Sequence, residues 1–162
     1  MAMLQTASAG LEMYFVEQQG ADLLNEAITL RVISESGIEA DQLQFLLEAS
    51  KHRQIVMAKT EKEELLASLA FAKISKYTLM QLAADSEYKL RPYEYREGKI
   101  LYVLDGFFRK NSFKKSIALL LPQLKQYRII AYIKNRRLKV FYKKNCSFQV
   151  VNITYPPISV PR

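Results

Sequence analysis

The chain has 162 residues, 49% of them hydrophobic and 11% aromatic, which predicts one folded domain rather than a disordered chain. No apolar run approaches the roughly 18 residues that a membrane span needs, and we expect no secretory signal in the first ten residues. A single cysteine and a single histidine exclude an internal disulfide and a structural zinc site, and they indicate a reducing, cytoplasmic setting.

Charge is divided unevenly along the chain. Residues 99–162 carry 14 Lys and Arg against one acid, a net charge of +13, whereas residues 1–98 carry 10 Lys and Arg against 15 acids, a net charge of −5. A basic half favours an anionic partner, such as an acidic protein, a phosphorylated cofactor, a nucleic acid or a membrane surface. Two other interpretations stay open: the two halves face each other, or the lysines keep exposed strand edges soluble.

The first half of the chain predicts three helices and a β-hairpin. Helices are expected at residues 22–33, 39–50 and 75–84, and strands at residues 53–60 and 65–73. The second of these strands is alanine-rich and is also compatible with a helix. Ahead of them, we expect residues 1–20 to be a frayed lead, with helical turns at residues 11–18 that Gly20 interrupts.

Two details of these helices are predicted as well. In the second helix, Leu43, Leu46 and Leu47 have the spacing of residues that cover a core. In the third, Ser75 is in position to act as the N-cap, because a serine hydroxyl accepts hydrogen bonds from the free N–H groups of a helix start.

The second half predicts a central strand, a helix and three more strands. Ile100–Phe108 is expected to be a central strand, because both of its alternating sets of side chains are largely apolar. A helix begins at Phe113, and Pro122 is expected to end or kink it. Further strands are expected at residues 127–134, 138–144 and 147–154. Asn135, in the turn between the first two, accepts a left-handed conformation, and the proline-rich residues 155–162 cannot continue a sheet.

This order of elements predicts an α/β fold. Two helices precede two strands, and the rest of the chain alternates a helix, a strand and a helix before the last strands. We therefore expect a single domain over residues 1–162, in which a mixed β-sheet is flanked by helices on both faces and is preceded by an N-terminal helical pair.

Asp105 is the only acid of the basic half, and it lies in the apolar central strand. A carboxylate in such a strand costs free energy unless it is hydrogen-bonded or paired with a cation. One interpretation is a catalytic acid or base, or a group that orients one, at the wall of a cleft in the sheet centre. The other is a structural acid that pairs with Arg109 or Lys110. The sequence leaves both open.

A basic turn follows the central strand and is a candidate anion site. Arg109, Lys110, Ser112 and Lys114 lie where a strand leads into a helix, and the free N–H groups of a helix start favour a phosphate. The alternative is a solvated turn in which Ser112 is an ordinary N-cap. No glycine-rich phosphate loop is present. His52 is the one imidazole available as a general base, although nothing around it distinguishes it from a surface residue.

Four stretches, taken in order, carry a resemblance to a known family. They are LLASLAFAKIS at residues 65–75, LYVLDGF at 101–107, LLLPQL at 119–124 and YRIIAYIKNRRLKVFYKK at 127–144. As an ordered set, they resemble segments of the bacterial RTX toxin-activating lysine acyltransferases, the companions of hemolysin-type protoxins. The resemblance covers residues 53–144.

The resemblance implies a GNAT-like α/β fold and the transfer of a fatty acyl group from acyl carrier protein, or from acyl-CoA, to lysines of an RTX-like protein. Asp105 falls on the family's signature acid, and the basic turn is where the donor's phosphopantetheine would bind. The chain departs from the family at residues 34–43, which contain no histidine where the family has its catalytic one. It also has no Trp. Loss of a general base typically lowers the rate by a factor of about 10²–10⁴.

Three functions are therefore compared. The first is a divergent protein-lysine acyltransferase with acyl carrier protein as its acidic partner. The second is a catalytically inactive adaptor or binding protein on the same fold, a pseudoenzyme. The third is a nucleic-acid-binding module built on the basic, aromatic strands, which the lack of an RNP-like motif disfavours. An oligomer is compatible with each of them.

Overall fold

The computed structural model describes residues 20–144 and 147–155. The four helices of this part of the chain are α1 (residues 20–33), α2 (Ala40–Lys51), α3 (Lys76–Ala84) and α4 (Phe113–Leu124). Its six strands are β1 (Ile55–Lys59), β2 (Leu65–Ile74), β3 (Ile100–Phe108), β4 (Ile129–Lys134), β5 (Arg137–Lys144) and β6 (Ser147–Thr154). A 3-10 helix, Pro92–Tyr95, precedes β3. The helical turns predicted at residues 11–18 and the tail after Tyr155 lie outside the described residues.

The six strands form one mixed sheet in the order β1-β2-β3-β4-β5-β6. β1 and β2 are antiparallel, β3 and β4 are parallel, and β4, β5 and β6 form an antiparallel meander. α4 provides the crossover that the parallel pair requires. The predicted α/β class with a mixed sheet is confirmed, and so is the hairpin of β1 and β2. None of the helices in the described part of the chain is long and apolar enough to cross a membrane.

The chain divides into two compact units. The first contains the described residues up to Phe71 together with Leu104–Leu124. The second contains Ala72–Val103 and the described residues from Lys125 onwards.

In the first unit, helices pack on both faces of β1. Ile55 and Ala58 are three residues apart in this strand, so their side chains point to opposite faces. The Ile55 face packs against α1 and α2 through Ala27, Leu46 and Ala49. The Ala58 face packs against α4 through Leu120. These contacts confirm the predicted N-terminal helical pair.

The start of α1 approaches the end of α2 closely. A Cβ atom on Gly20 would lie 2.5 Å from the carbonyl oxygen of Ser50, so a side chain larger than hydrogen would force the two helices apart. Gly20 is itself helical and allows α1 to contact α2. The turns at residues 11–18 that it was expected to interrupt lie outside the described residues.

In the second unit, local side-chain chemistry fixes two boundaries. Ser75 caps α3, since its Oγ accepts a hydrogen bond from the backbone N–H of Thr78 at 3.1 Å, as predicted. The turn between β4 and β5 holds Asn135 at φ 51° and Arg136 at φ 56°. Two consecutive left-handed residues match the twist of a two-residue hairpin, so the predicted role of Asn135 is confirmed.

The structure decides three further expectations in whole or in part. Leu43 and Leu47 are 38% and 42% exposed, and of the three leucines chosen in α2 only Leu46 is buried. Of the two outcomes expected at Pro122, an end or a kink, the first does not occur, because α4 continues to Leu124. The alternative of a helix at residues 65–73 fails, because these residues belong to β2, in which every residue from Leu66 to Ala72 is buried, as in a strand covered on both faces.

Candidate functional site

Asp105 forms a buried ion pair with Arg31 of α1. Arg31 Nη2 donates a hydrogen bond to Asp105 Oδ2. The side chain of Arg31 is 3% exposed and that of Asp105 is 7% exposed. The guanidinium carbon of Arg31 also lies 4.7 Å from the centre of the Phe107 ring, a cation–π contact. Asp105 and Phe107 are two residues apart in β3, so their side chains share a face, and one arginine can contact both.

Sequence reasoning missed Arg31. The expected partners of Asp105 were Arg109 and Lys110, both of which are exposed, and the structure pairs the carboxylate with Arg31 instead. One signal pointed to Arg31: it lies four residues after Ala27, on the buried stripe of α1. A cation on a buried stripe needs an anion, and Asp105 was the isolated acid.

The pairing limits what Asp105 can do chemically. To accept a proton, the carboxylate would have to release a guanidinium inside the protein, where separating opposite charges is costly. The Nε atom of Arg31 is buried and has no hydrogen-bond partner among the described residues. As it stands, the pair stabilises the contact of α1 with β3 and leaves one donor unsatisfied.

His52, the other candidate for catalysis, lies at the C-terminal end of α2. It is the C-cap residue, and its backbone N–H donates a hydrogen bond to the carbonyl oxygen of Ala49 at 3.1 Å. The position of the imidazole is therefore set by the end of a helix. The ion pair of Asp105 joins it to Arg31 and not to His52.

The basic turn uses its serine internally. The Ser112 hydroxyl is within donating distance of two carbonyl oxygens, that of Leu66 at 3.1 Å and that of Arg109 at 2.7 Å. Ser116 Oγ lies 3.2 Å from the same hydroxyl. Ser112 is thus buried and holds the turn against β2, which is closer to the structural alternative than to an anion ligand. The basic members of the turn are exposed: Arg109, Lys110 and Lys114.

A second buried carboxylate, Glu94, lies in the second unit. It is 1% exposed, and its oxygens accept hydrogen bonds from the Tyr88 hydroxyl at 2.6 Å and from the Arg91 backbone N–H at 2.6 Å. Thr78 Oγ1 lies 3.4 Å away from the oxygen that Tyr88 contacts. The hydrogen bond to Glu94 raises the pKa of Tyr88 to about 12.

Glu97 extends this cluster to the start of α3. Its carboxylate accepts hydrogen bonds from the Thr78 hydroxyl and from the backbone N–H of Ser75. The bond from Thr78 holds the pKa of Glu97 below its usual range. Each of these donors is a hydroxyl or a backbone N–H, so the cluster joins α3 to the loop before β3. Within residues 20–144 and 147–155, no three His, Cys, Asp or Glu side chains are grouped as metal ligands would be.

One face of β4 and β5 is basic and aromatic. The register pairs Lys134 with Arg137 and Tyr132 with Lys139, and residues paired across antiparallel strands share a face. Lys143 lies on the same face, because it is two residues after Phe141 and four residues after Lys139 in β5. We call four residues the basic face: Lys134, Arg137, Lys139 and Lys143.

Aromatic rings support this basic face. The rings of Tyr132 and Phe141 are stacked, with centres 5.8 Å apart and planes at 15°. Lys139 Nζ lies 6.0 Å from the centre of the Tyr132 ring. On the opposite face of the same strands, Ala131 and Leu138 are fully buried. The two faces of β4 and β5 therefore differ, since one carries exposed cations and the other contains core residues.

Comparison with known proteins adds no homologue to this description. No protein-family model matches the chain, and no curated protein matches it. The functional conclusion therefore rests on the geometry of the ion pair and of the basic face.

Proposed function

We propose that this protein acts in the cytosol as a binding protein that recognises an acidic partner protein through the basic face, and that it does so without catalysing acyl transfer. The basic face carries the proposal. Its cations occupy one side of two adjacent strands whose other side is core, and three of them are exposed: Lys134, Arg137 and Lys143. A surface built in this way presents charge at fixed spacing.

The sequence around this face strengthens the argument. Residues 106–162 contain no Asp or Glu, so this segment brings no acid of its own to neutralise the face. Uncompensated charge steers an oppositely charged partner and sets the specificity of the encounter. Acyl carrier protein is the first candidate, because it is the acidic donor in the family that the sequence resembles. A GNAT-like arrangement of the α/β fold belongs to the same proposal.

Acyl transfer to lysine is the competing proposal. A lysine amine has an unperturbed pKa of about 10.4, so its attack on a thioester needs a base that removes a proton. The carboxylate that would serve, Asp105, is buried and paired with Arg31. The ion pair therefore supports binding without catalysis.

Binding is tested with purified acyl carrier protein and isothermal titration calorimetry. We expect the triple variant Arg137→Gln, Lys139→Gln, Lys143→Gln to bind at least about tenfold more weakly than the wild type. The matched control removes three exposed cations of the basic turn: Arg109→Gln, Lys110→Gln, Lys114→Gln. Its affinity should stay within about twofold, since charges away from the contact are screened.

Salt and nucleic acid complete the binding test. The affinity of the wild type should fall steeply between about 25 and about 150 mM salt, because the contact depends on exposed charges. Equal weakening of both triple variants, or equal affinity for duplex DNA and for acyl carrier protein, would show that the basic face is unspecific and would contradict the proposal.

Catalysis is tested by an acyl-transfer assay with acyl carrier protein as donor and a lysine peptide as acceptor. We expect no turnover by the wild type, by His52→Ala or by the charge-free double variant Arg31→Met, Asp105→Leu, with donor binding retained in all three. Turnover by the wild type that is lost in both variants would overturn this half of the proposal and establish the acyltransferase instead.

A further inference from the structure

The last strand of the sheet has an open edge. β6 stands at the end of the strand order and pairs with β5 through all eight of its residues without an irregularity. In an antiparallel pair, alternate residues direct their N–H and C=O groups away from the neighbour. In the part of the chain that the structure describes, no strand pairs with this outer row of β6.

The opposite edge of the sheet is protected. β1 has five residues, and its register with β2 shifts beside Lys59. Lys59 Nζ in turn lies 2.7 Å from a carboxylate oxygen of Glu26 and 3.4 Å from one of Glu63. Short length, a bulge and a charged side chain are the usual means by which an edge strand avoids further pairing.

β6 has none of these protections. Its sequence, SFQVVNIT, contains no charged residue and no proline. Val150 and Val151 are 47% and 45% exposed, and as neighbours in a strand they project from opposite faces. β6 is therefore a long, regular and uncharged edge, which is the form that accepts another strand.

We propose that β6 binds an extended acidic segment of the partner protein as a seventh strand of the sheet. This inference rests on the proposed function and names the contact through which the partner is held. An added strand would lie about 10 Å from β5, two strand spacings away, which is about one Debye length at 0.1 M salt. Its carboxylates would therefore be attracted by the basic face.

Charge also disfavours a second copy of this chain as the source of the added strand. Two β6 strands could pair, but each would bring its own basic face and a half with a net charge of +13 to the same sheet. Like charges at this separation oppose association. An acidic strand is attracted at the same distance, so charge complementarity selects it.

The register predicts the pattern of the bound segment. Val150 shares the side of the sheet that carries the basic face, since it pairs with Phe141, whereas Val151 pairs with Val140 on the buried side. A bound strand would place acidic side chains beside Val150 and uncharged ones beside Val151. Alternation of acidic and uncharged residues is therefore the expected recognition pattern.

The test uses a capped peptide of about ten residues that alternates glutamate and threonine, with lysine in place of glutamate in the control peptide. Hydrogen exchange of the full-length protein is followed by NMR. We expect the glutamate peptide at saturation to slow the exchange of alternate β6 amides at least about tenfold. The lysine peptide should leave them unchanged.

Two proline variants distinguish loss of pairing at the outer edge of β6 from loss of the fold. Val150 and Val151 direct their N–H groups to opposite sides of β6, so proline at one of these positions breaks a bond to β5 and proline at the other removes only an outward N–H. The variant that keeps the unfolding midpoint of the wild type is the informative one. It should bind the glutamate peptide at least about tenfold more weakly.

Results that contradict the edge inference can be distinguished from results that contradict the proposed function. If the peptide does not bind, or binds without protecting β6 and equally well to the tolerated proline variant, the edge inference is overturned. Retained binding of acyl carrier protein through the basic face would then leave the proposed function standing. The inference is also overturned if the outward-facing β6 amides are already protected in the free protein. A dimer in sedimentation that the proline variant abolishes, or displacement of the peptide by single-stranded DNA, would overturn it as well.

Discussion

Two buried carboxylates of this protein are stabilised in different ways. Asp105 in the first unit is paired with a full cation, the guanidinium of Arg31. Glu94 in the second unit accepts hydrogen bonds from a phenol hydroxyl and a backbone N–H. The ion pair depends on one partner, whereas the hydrogen-bonded cluster divides its stabilisation among several neutral donors.

The difference determines how each region responds to substitution. Removing one member of a buried ion pair leaves an uncompensated charge in a medium of low dielectric constant, so the whole desolvation cost falls on the survivor. Removing one donor from a cluster leaves the remaining donors in place, and the loss is that of a single hydrogen bond. A single substitution in the ion pair should therefore lower the free energy of unfolding more than a single substitution in the hydrogen-bonded cluster does.

The largest effect is expected for Arg31→Met, which leaves Asp105 buried without its cation. We expect the free energy of unfolding to fall by about 3–5 kcal/mol. Urea denaturation near neutral pH, followed by circular dichroism, measures it. The double variant Arg31→Met, Asp105→Leu removes both charges and should recover most of this loss. A double variant as unstable as the single one would contradict the ion-pair explanation.

A smaller effect is expected for Glu94→Gln. The amide keeps the shape of the carboxylate but has one acceptor oxygen, and its NH₂ group faces a donor, so we expect a loss of about 1–3 kcal/mol in the free energy of unfolding. Glu87→Gln is the matched control, because Glu87 is exposed and its substitution should change stability by less than about 0.5 kcal/mol. Equal losses in urea denaturation would show that burial does not distinguish the two.

The smallest effect concerns pH. The hydrogen bond to Glu94 raises the pKa of Tyr88 to about 12 in the folded protein, against about 10 in the unfolded chain. The protonated phenol therefore contributes stability below about pH 10, and this contribution is lost as the pH rises towards 12. The difference in urea midpoint between the wild type and Tyr88→Phe should shrink from about pH 8 to about pH 11.5. A constant difference would exclude this link.

The elements that could be predicted from sequence are those whose signals are local. A continuous apolar run identified the central strand β3, the Ser75 hydroxyl identified the start of α3, and Asn135 identified the hairpin turn. In each case the decisive residues are a few positions apart, so a short window of sequence contains the physical reason.

Only one of the two residues of the buried ion pair could be predicted from the sequence. Its acid was visible, because Asp105 is isolated in an apolar strand, but its partner Arg31 is 74 residues away. Periodicity shows which face of α1 is buried and does not show which strand that face meets. Periodicity also does not show how wide the buried face of a helix is, which is why Leu43 and Leu47 of α2 were wrongly placed in the core.

Glu94 was missed although a local signal existed. Arg91, Pro92 and Glu94 form a capping-box pattern, with proline at the first position of the 3-10 helix and an acid that accepts from the backbone N–H of the N-cap residue. No element was predicted between residues 84 and 100. An acid two residues after a proline was the feature to weigh.

The sequence separation of Arg31 and Asp105 has a consequence for how the chain folds. The partners of Glu94 lie within 16 residues of it, whereas Arg31 and Asp105 close a loop of 74. Long loops cost more entropy to close, so contacts of this kind form late. In stopped-flow experiments Arg31→Met should speed unfolding and leave refolding nearly unchanged, with a φ-value near zero. A contact that is absent from the transition state slows unfolding, so loss of this ion pair should shorten the lifetime of the native state.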